Sequence, residues 1–194
     1  MATNRRGGEA VPEKIHLTDT RHLTDTRQSN VVLHADEVLL RPWQIEDSRW
    51  YVESRDEEVF KWTTEKRELT VRETEGAIQQ VNGKADVFSF AVVDPQSNEI
   101  LGNIALVLDN SRRSGEVMYW LAPWGRGRGI ASRAVKLLCQ WAFDTLSLER
   151  VTLRTHEDNL RSQLVAKRVG FQRVEDQNES GAHRESLWFV LTNR

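Results

Sequence analysis

The 194-residue chain has a single cysteine, Cys139, only four prolines, and no apolar run long enough to cross a bilayer. One thiol excludes an intramolecular disulfide and leaves a cysteine-based zinc site without ligands. The apolar stretch of a signal peptide is also missing, so the expected compartment is reducing and cytoplasmic. Nor does one sign of charge dominate: 27 Lys and Arg stand against 29 Asp and Glu, a formal net of -2. Such a balance gives no general pull toward nucleic acid or anionic lipid, and neither is an expected partner. Any anion site must therefore be local.

The length suits one domain of ordinary size, which buries about 70% of its unfolded-chain surface. Residues 1–34 stand apart. They hold few large apolar residues and contain a tandem copy, His16-Leu17-Thr18-Asp19-Thr20-Arg21 followed by His22-Leu23-Thr24-Asp25-Thr26-Arg27. Two copies are too few for a solenoid. The expectation is a disordered tail, with a single domain over 35–194. Histidines at this spacing lack a supporting carboxylate or thiol pattern, and no metal site is expected.

From Val38 the pattern changes. Val38-Leu39-Leu40-Arg41 reads as a short strand closed by Pro42, and helical spacing follows through Trp50 and Val59 to Trp62. Thr70-Val71-Arg72-Glu73 is a capping box that opens a helix ending near Asn82-Gly83. Val87 to Val93, Ile100 to Leu108 and Glu116 to Leu121 read as strands, the first two joined by the turn Asp94-Pro95-Gln96-Ser97-Asn98. Consecutive strands with short turns imply an antiparallel meander. The second half alternates. Gly129 to Thr145 is a helix with Ile130, Ala134, Leu137, Leu138 and Trp141 on one face, and Val151 to Thr155 is a strand. Asn159 to Val169 is a helix stopped by Gly170, and strands begin at Phe171 and Arg184. The polar segment Asp176 to His183 reads as a hairpin loop. The predicted class is α+β, a mixed sheet with helices on its faces.

Between the third strand and the next helix lies Arg126-Gly127-Arg128-Gly129-Ile130-Ala131. Two glycines and an alanine let a ligand approach the backbone, two arginines add charge, and a helix N-terminus supplies free amides. Together they form a pyrophosphate site. The alternating Gly125, Gly127 and Gly129 do not match the dinucleotide fingerprint G-x-G-x-x-G, and Ile130-Ala131 lacks the Lys-Ser/Thr of a P-loop.

The order strand, Arg-x-x-Gly-x-Ala, helix, strand, then Asn159-Leu160-Arg161-Ser162 and Gly170-Phe171 resembles the GNAT superfamily of acyl-CoA N-acetyltransferases. Leu40-Arg41-Pro42, Gly115 to Leu121 and Trp124-Gly125 narrow the resemblance to the ribosomal-protein N-terminal (alanine/serine) acetyltransferase group. It covers about Glu37 to Leu191. It implies a predominantly antiparallel sheet in which two central strands splay to admit acetyl-CoA, the co-substrate. The other partner would be a primary amine, either a protein N-terminus or a small antibiotic or metabolite. A homodimer is compatible with it.

The implied reaction is direct attack of a neutral amine on the thioester, with no need for a metal. Arg126, Gly127, Arg128, Gly129, Ile130 and Ala131 would hold the pyrophosphate; Tyr119, Trp120 and Leu121 would lie along the cofactor arm. Asn159 and Ser162 would meet it from the other side. Because an α-amine titrates near ~8 and a lysine near ~10.4, a base is required. Glu116, at the start of the strand leading to the turn, is the leading candidate, ahead of Glu157 and Asp158 at the end of the next strand. Many members of the superfamily place a tyrosine seven residues after the motif asparagine, where this chain has Ala166. Ser162, one helical turn past Asn159, resembles the serine found at this place in the ribosomal-protein group, and the resemblance implies that it contacts the thiol. Trp62, Glu116 and Trp188 are the candidate acceptor pocket. Trp43 and Trp50 add aromatic mass to the same region, and Glu57, Glu58 and Glu65 are candidates to attract a cationic amine. A non-catalytic acyl-CoA sensor is the alternative reading.

Overall fold

Thr70 and Glu73 close the helix start that their spacing predicts. The Glu73 amide donates to Thr70 Oγ1 at 3.2 Å, and the Thr70 amide donates to Glu73 Oε2 at 2.8 Å. Two otherwise orphaned donors are thereby satisfied. The computed structural model describes residues 31–175 and 186–193. The expected tail with its repeat, up to residue 30, and the loop Asp176 to His183 lie outside these residues.

The strands are β1 (Leu33–Ala35), β2 (Val38–Pro42), β3 (Val87–Val93), β4 (Ile100–Leu108), β5 (Ser114–Leu121), β6 (Arg150–His156), β7 (Gln172–Val174) and β8 (Ser186–Thr192). The helices are α1 (Ser48–Glu53), α2 (Glu57–Trp62), α3 (Val71–Asn82), α4 (Ile130–Asp144) and α5 (Leu160–Val169). The eight strands form one mixed sheet in the order β1-β2-β3-β4-β5-β6-β8-β7. Among the described strands only β5 and β6 pair in parallel, because α4 carries the chain back across the sheet between them. The fold is the expected α+β class.

Two expectations are corrected. The helical run from Trp50 to Trp62 divides into α1 and α2. Asp56 takes extended backbone and accepts from the Val59 amide, so a new helix begins there. The domain also begins earlier than residue 35. Leu33 and His34 belong to β1, where Leu33 pairs with Leu40 and is fully buried.

Strand alternation sorts the apolar residues into two layers. Phe88, Phe90, Ile104, Leu106 and Val117 join the buried face of α4, with Val165 and Ala166 of α5. Trp43, Ile78, Ala91 and Val93 form a smaller core on the other face, against Trp50 and Tyr51. That sorting positions the site, since successive residues of β5 serve opposite layers.

Candidate active site

The sheet opens at its centre. Pairing between β5 and β6 runs from Ser114↔Arg150 to Val117↔Leu153 and stops. Beyond that point β5 stays paired with β4 as far as Leu121↔Gly102, and β6 with β8 as far as His156↔Ser186. Met118 to Leu121 and Arg154 to His156 therefore diverge, leaving a slot with main-chain groups along its edges. The resemblance implies this splay, and hydrophobic pattern alone does not encode it.

The glycine turn lies at the end of β5. Gly127 and Gly129 have φ of 74° and 76°, the left-handed region that other residues enter at a cost. Gly129 is the N-cap of α4 and supplies no capping side chain. The amides of Ile130, Ala131 and Ser132 open the helix and have no carbonyl within it to reach. A Cβ at Gly129 would stand 2.8 Å from Arg133 Nη1. The backbone is thus bare where the amides converge, as a diphosphate requires.

The cations differ from expectation. Arg126 clamps Asp56 with two hydrogen bonds of 2.7 Å, and its Nε donates to the Leu121 carbonyl at 3.0 Å. The clamp holds the Asp56 carboxyl below its usual range. Arg126 therefore contributes its main chain to the turn, while its guanidinium braces α2. Arg128 is half exposed and 3.1 Å from Asp94. Arg133 is the cation that sequence reading missed. Its Nη1 donates to the Arg128 carbonyl at 2.7 Å, and its Nε pairs with Glu37. Its place four residues after Gly129, one turn along α4, is the signal that could have found it.

The candidates on β5 separate by face. Tyr119 and Leu121 pack against the layer of α4 and α5. The Tyr119 hydroxyl donates to Ser162 Oγ at 3.0 Å, and burial pushes its phenol up to about 12. Asn159 Oδ1 accepts from the Ser162 amide at 3.1 Å, capping α5. Trp120 points to the other layer and is 6% exposed, so along the slot it offers only backbone. Its ring stacks on Trp50 at 6.0 Å, and its Nε1 donates to Glu65 at 3.2 Å. Trp43 and Trp50 belong to that same aromatic core rather than to a pocket. Ala166 is fully buried against α4.

Glu116 lies on the opposite face from Tyr119 and Ser162, so the slot separates the two candidate catalytic groups. Arg154 Nε is 3.5 Å from Glu116 Oε1, and the Arg154 guanidinium lies over the Trp188 ring at 5.5 Å. Trp62 meets His156 at 5.6 Å and donates from Nε1 to Glu58 at 3.1 Å. Glu116 and Trp188 are thus joined through Arg154, while Trp62 reaches the same region through His156. Arg154 and His156 were not anticipated; on β6 they continue the register of Thr152, opposite Glu116. Glu57, Glu58 and Glu65 already pair with Arg67, Arg161 and Arg55. They are therefore poor attractors for a free cation.

Comparison with known proteins shows the family and the fold. A family model described as an acetyltransferase (GNAT) domain matches residues 37–172. The N-acetyltransferase 9-like protein of Caenorhabditis briggsae is 30% identical over 158 residues, covering 75% of this chain and 79% of that protein. The ribosomal-protein-S5-alanine acetyltransferase of Vibrio fischeri shares the fold at a TM-score of 0.71 and 20% identity, over 84% of this chain and 97% of that one. The spermidine N-acetyltransferase of Vibrio cholerae, solved with CoA and spermine, does so at 0.69 and 19%, over 80% and 95%.

Proposed function

This chain belongs to the GNAT acetyltransferase family and is an acetyl-transferring enzyme, and from that premise we propose that it acetylates the α-amine of a peptide or protein N-terminus. Acetyl-CoA would supply the activated acetyl group and a thiolate leaving group. The turn from Arg126 to Ala131 would hold its diphosphate through main-chain amides, with Arg128 and Arg133 as local cations. The edges of Met118 to Leu121 would bind the arm by hydrogen bonds, with Asn159 and Ser162 facing it from α5. Glu116 would take the proton from the attacking amine, directly or through one water.

One observation carries the choice of acceptor. Glu116 and Arg154 form an adjacent pair, and neither is buried: their side chains are 29% and 30% exposed. An N-terminal residue carries an amine and a carbonyl two bonds apart. Glu116 can receive the first while Arg154 donates to the second. A polyamine offers cations alone and would meet the Arg154 charge. Met118 is 44% exposed beside them, which favours an open groove over a closed aromatic pocket among the described residues. The loss of Trp43 and Trp50 to the core removes the main argument for a small aromatic-lined acceptor. The reaction belongs in a reducing, cytoplasmic compartment, in keeping with one buried thiol.

A thiol-release screen with acetyl-CoA, run against N-terminal peptides and against small amines, tests the choice. Peptides should turn over and polyamines should not; the reverse order defeats the reading. Glu116→Gln should lower kcat by about a hundredfold, the usual scale for a positioned base, while calorimetry finds acetyl-CoA affinity unchanged. Unaltered turnover in that variant would remove Glu116 from the chemistry.

A further inference from the structure

One hydrogen bond joins β5, at the edge of the slot, to α5, the helix that follows β6. Tyr119 comes from β5 and Ser162 from the first turn of α5, and the phenol donates to the serine oxygen at 3.0 Å. Ser162 is held from a second side by its amide, which donates to Asn159 Oδ1 at 3.1 Å. A serine hydroxyl has one proton and two lone pairs. With the tyrosine proton on one lone pair, the serine proton must point elsewhere.

We propose that Tyr119 is a positioning residue that makes Ser162 a fixed hydrogen-bond donor to the sulfur leaving during acetyl transfer. The proposal rests on the acetyl-transfer reading above. As the amine nitrogen bonds to the acetyl carbon, the C–S bond breaks and its electron pair stays on sulfur. The surplus proton on nitrogen leaves to the Glu116 side of the slot. Negative charge thus develops on the face where Ser162 stands, and a preorganised donor there stabilises it without reorganising at the moment of reaction.

Tyr119 is not itself the proton source. With its phenol pushed up to about 12, it keeps its proton against a thiolate whose acid titrates near ~8.5. The hydrogen bond to Ser162 therefore persists across the neutral range. Ala166, one turn further along α5 and fully buried, brings no hydroxyl to replace it.

The test uses the full chain, CoA as probe, and the variants Tyr119→Phe, Ser162→Ala and the double variant. The ultraviolet absorbance of the CoA thiolate, followed against pH in the bound state, reports the donor directly. In the wild type the bound thiol should ionise at lower pH than free CoA. Ser162→Ala should return it toward the free value, and Tyr119→Phe should move it part of the way. Tyr119→Phe should also lower kcat by up to about tenfold, the worth of one neutral hydrogen bond. Its KM for acetyl-CoA and its melting temperature should not change. In the Ser162→Ala background the same substitution should do nothing more. An equal effect in both backgrounds would show that Tyr119 acts by packing, and an unmoved thiol titration in Ser162→Ala would show that the serine makes no contact with sulfur; either overturns the proposal. A wild type that binds CoA but releases no thiol with any amine overturns the acetyl-transfer reading instead, and the bound-thiol titration still decides this one.

Discussion

Gly129 combines a left-handed φ of 76° with an uncapped helix start, and both bear on what can replace it. Alanine there costs about 1–2 kcal/mol in backbone strain and pushes the Arg133 guanidinium aside. Aspartate adds a negative charge beside the amides that would hold a diphosphate. Calorimetry on Gly129→Asp should find acetyl-CoA affinity reduced about a hundredfold or more, with circular dichroism unchanged. Unchanged affinity would mean that the diphosphate binds elsewhere. Cys139 makes the opposite case, a residue whose surroundings silence it. It is 2% exposed in the α4 core, and burial pushes its thiol up to about 12. A thiol reagent at neutral pH should leave it unmodified until denaturant is added, and stoichiometric labelling of the folded protein would contradict that packing.

At the scale of elements, α2 is a six-residue helix too short to stand alone, and its position depends on its ends. Asp56 does two things at once: it caps α2 through the Val59 amide and pairs with Arg126 at the start of the glycine turn. Asparagine caps as well as aspartate, so Asp56→Asn removes the charge and keeps the cap. The pair is partly exposed, so this substitution should cost under about 1 kcal/mol, whereas Asp56→Ala should lose about 1 kcal/mol more with the cap. The hydrogen bond from Arg126 lowers the Asp56 pKa in the folded state. Its stabilisation is therefore complete above the ordinary carboxylate value and is lost as pH falls through the depressed one. Thermal melts from about pH 5 down to about pH 2 should show an acid-side loss that is smaller in Asp56→Asn. Parallel curves for the two proteins would mean that the clamp contributes nothing to stability.

For the whole molecule, the sheet extends outside the residues matched by the family model, since β1 begins at Leu33 and the match at residue 37. A chain lacking residues 1–30 keeps every described core contact and should melt within a few degrees of the full protein. A chain lacking residues 1–36 loses β1 and the buried Leu33, and should be less stable by about 2–5 kcal/mol in denaturant titrations. A large loss in the shorter deletion would place part of the N-terminal segment on the domain. Much of this architecture is legible in the chain. The capping box at Thr70, the limits of β3 and β4, the stop at Gly170 and the glycine turn all follow from local rules, because caps, turns and side-chain period are properties of neighbouring residues. What could not be read there depends on partners distant in sequence. The clamp of Arg126 on Asp56 spans 70 residues, the bond from Tyr119 to Ser162 spans 43, and the pairing of β5 with β6 ends without any break in either strand's pattern. Local sequence pattern settled most of the helices and strands and the bare glycine backbone that opens α4. Only the tertiary structure settled which face each β5 side chain serves and which carboxylate each arginine near the turn meets, because a side chain's direction and partners are set by the elements packed against it.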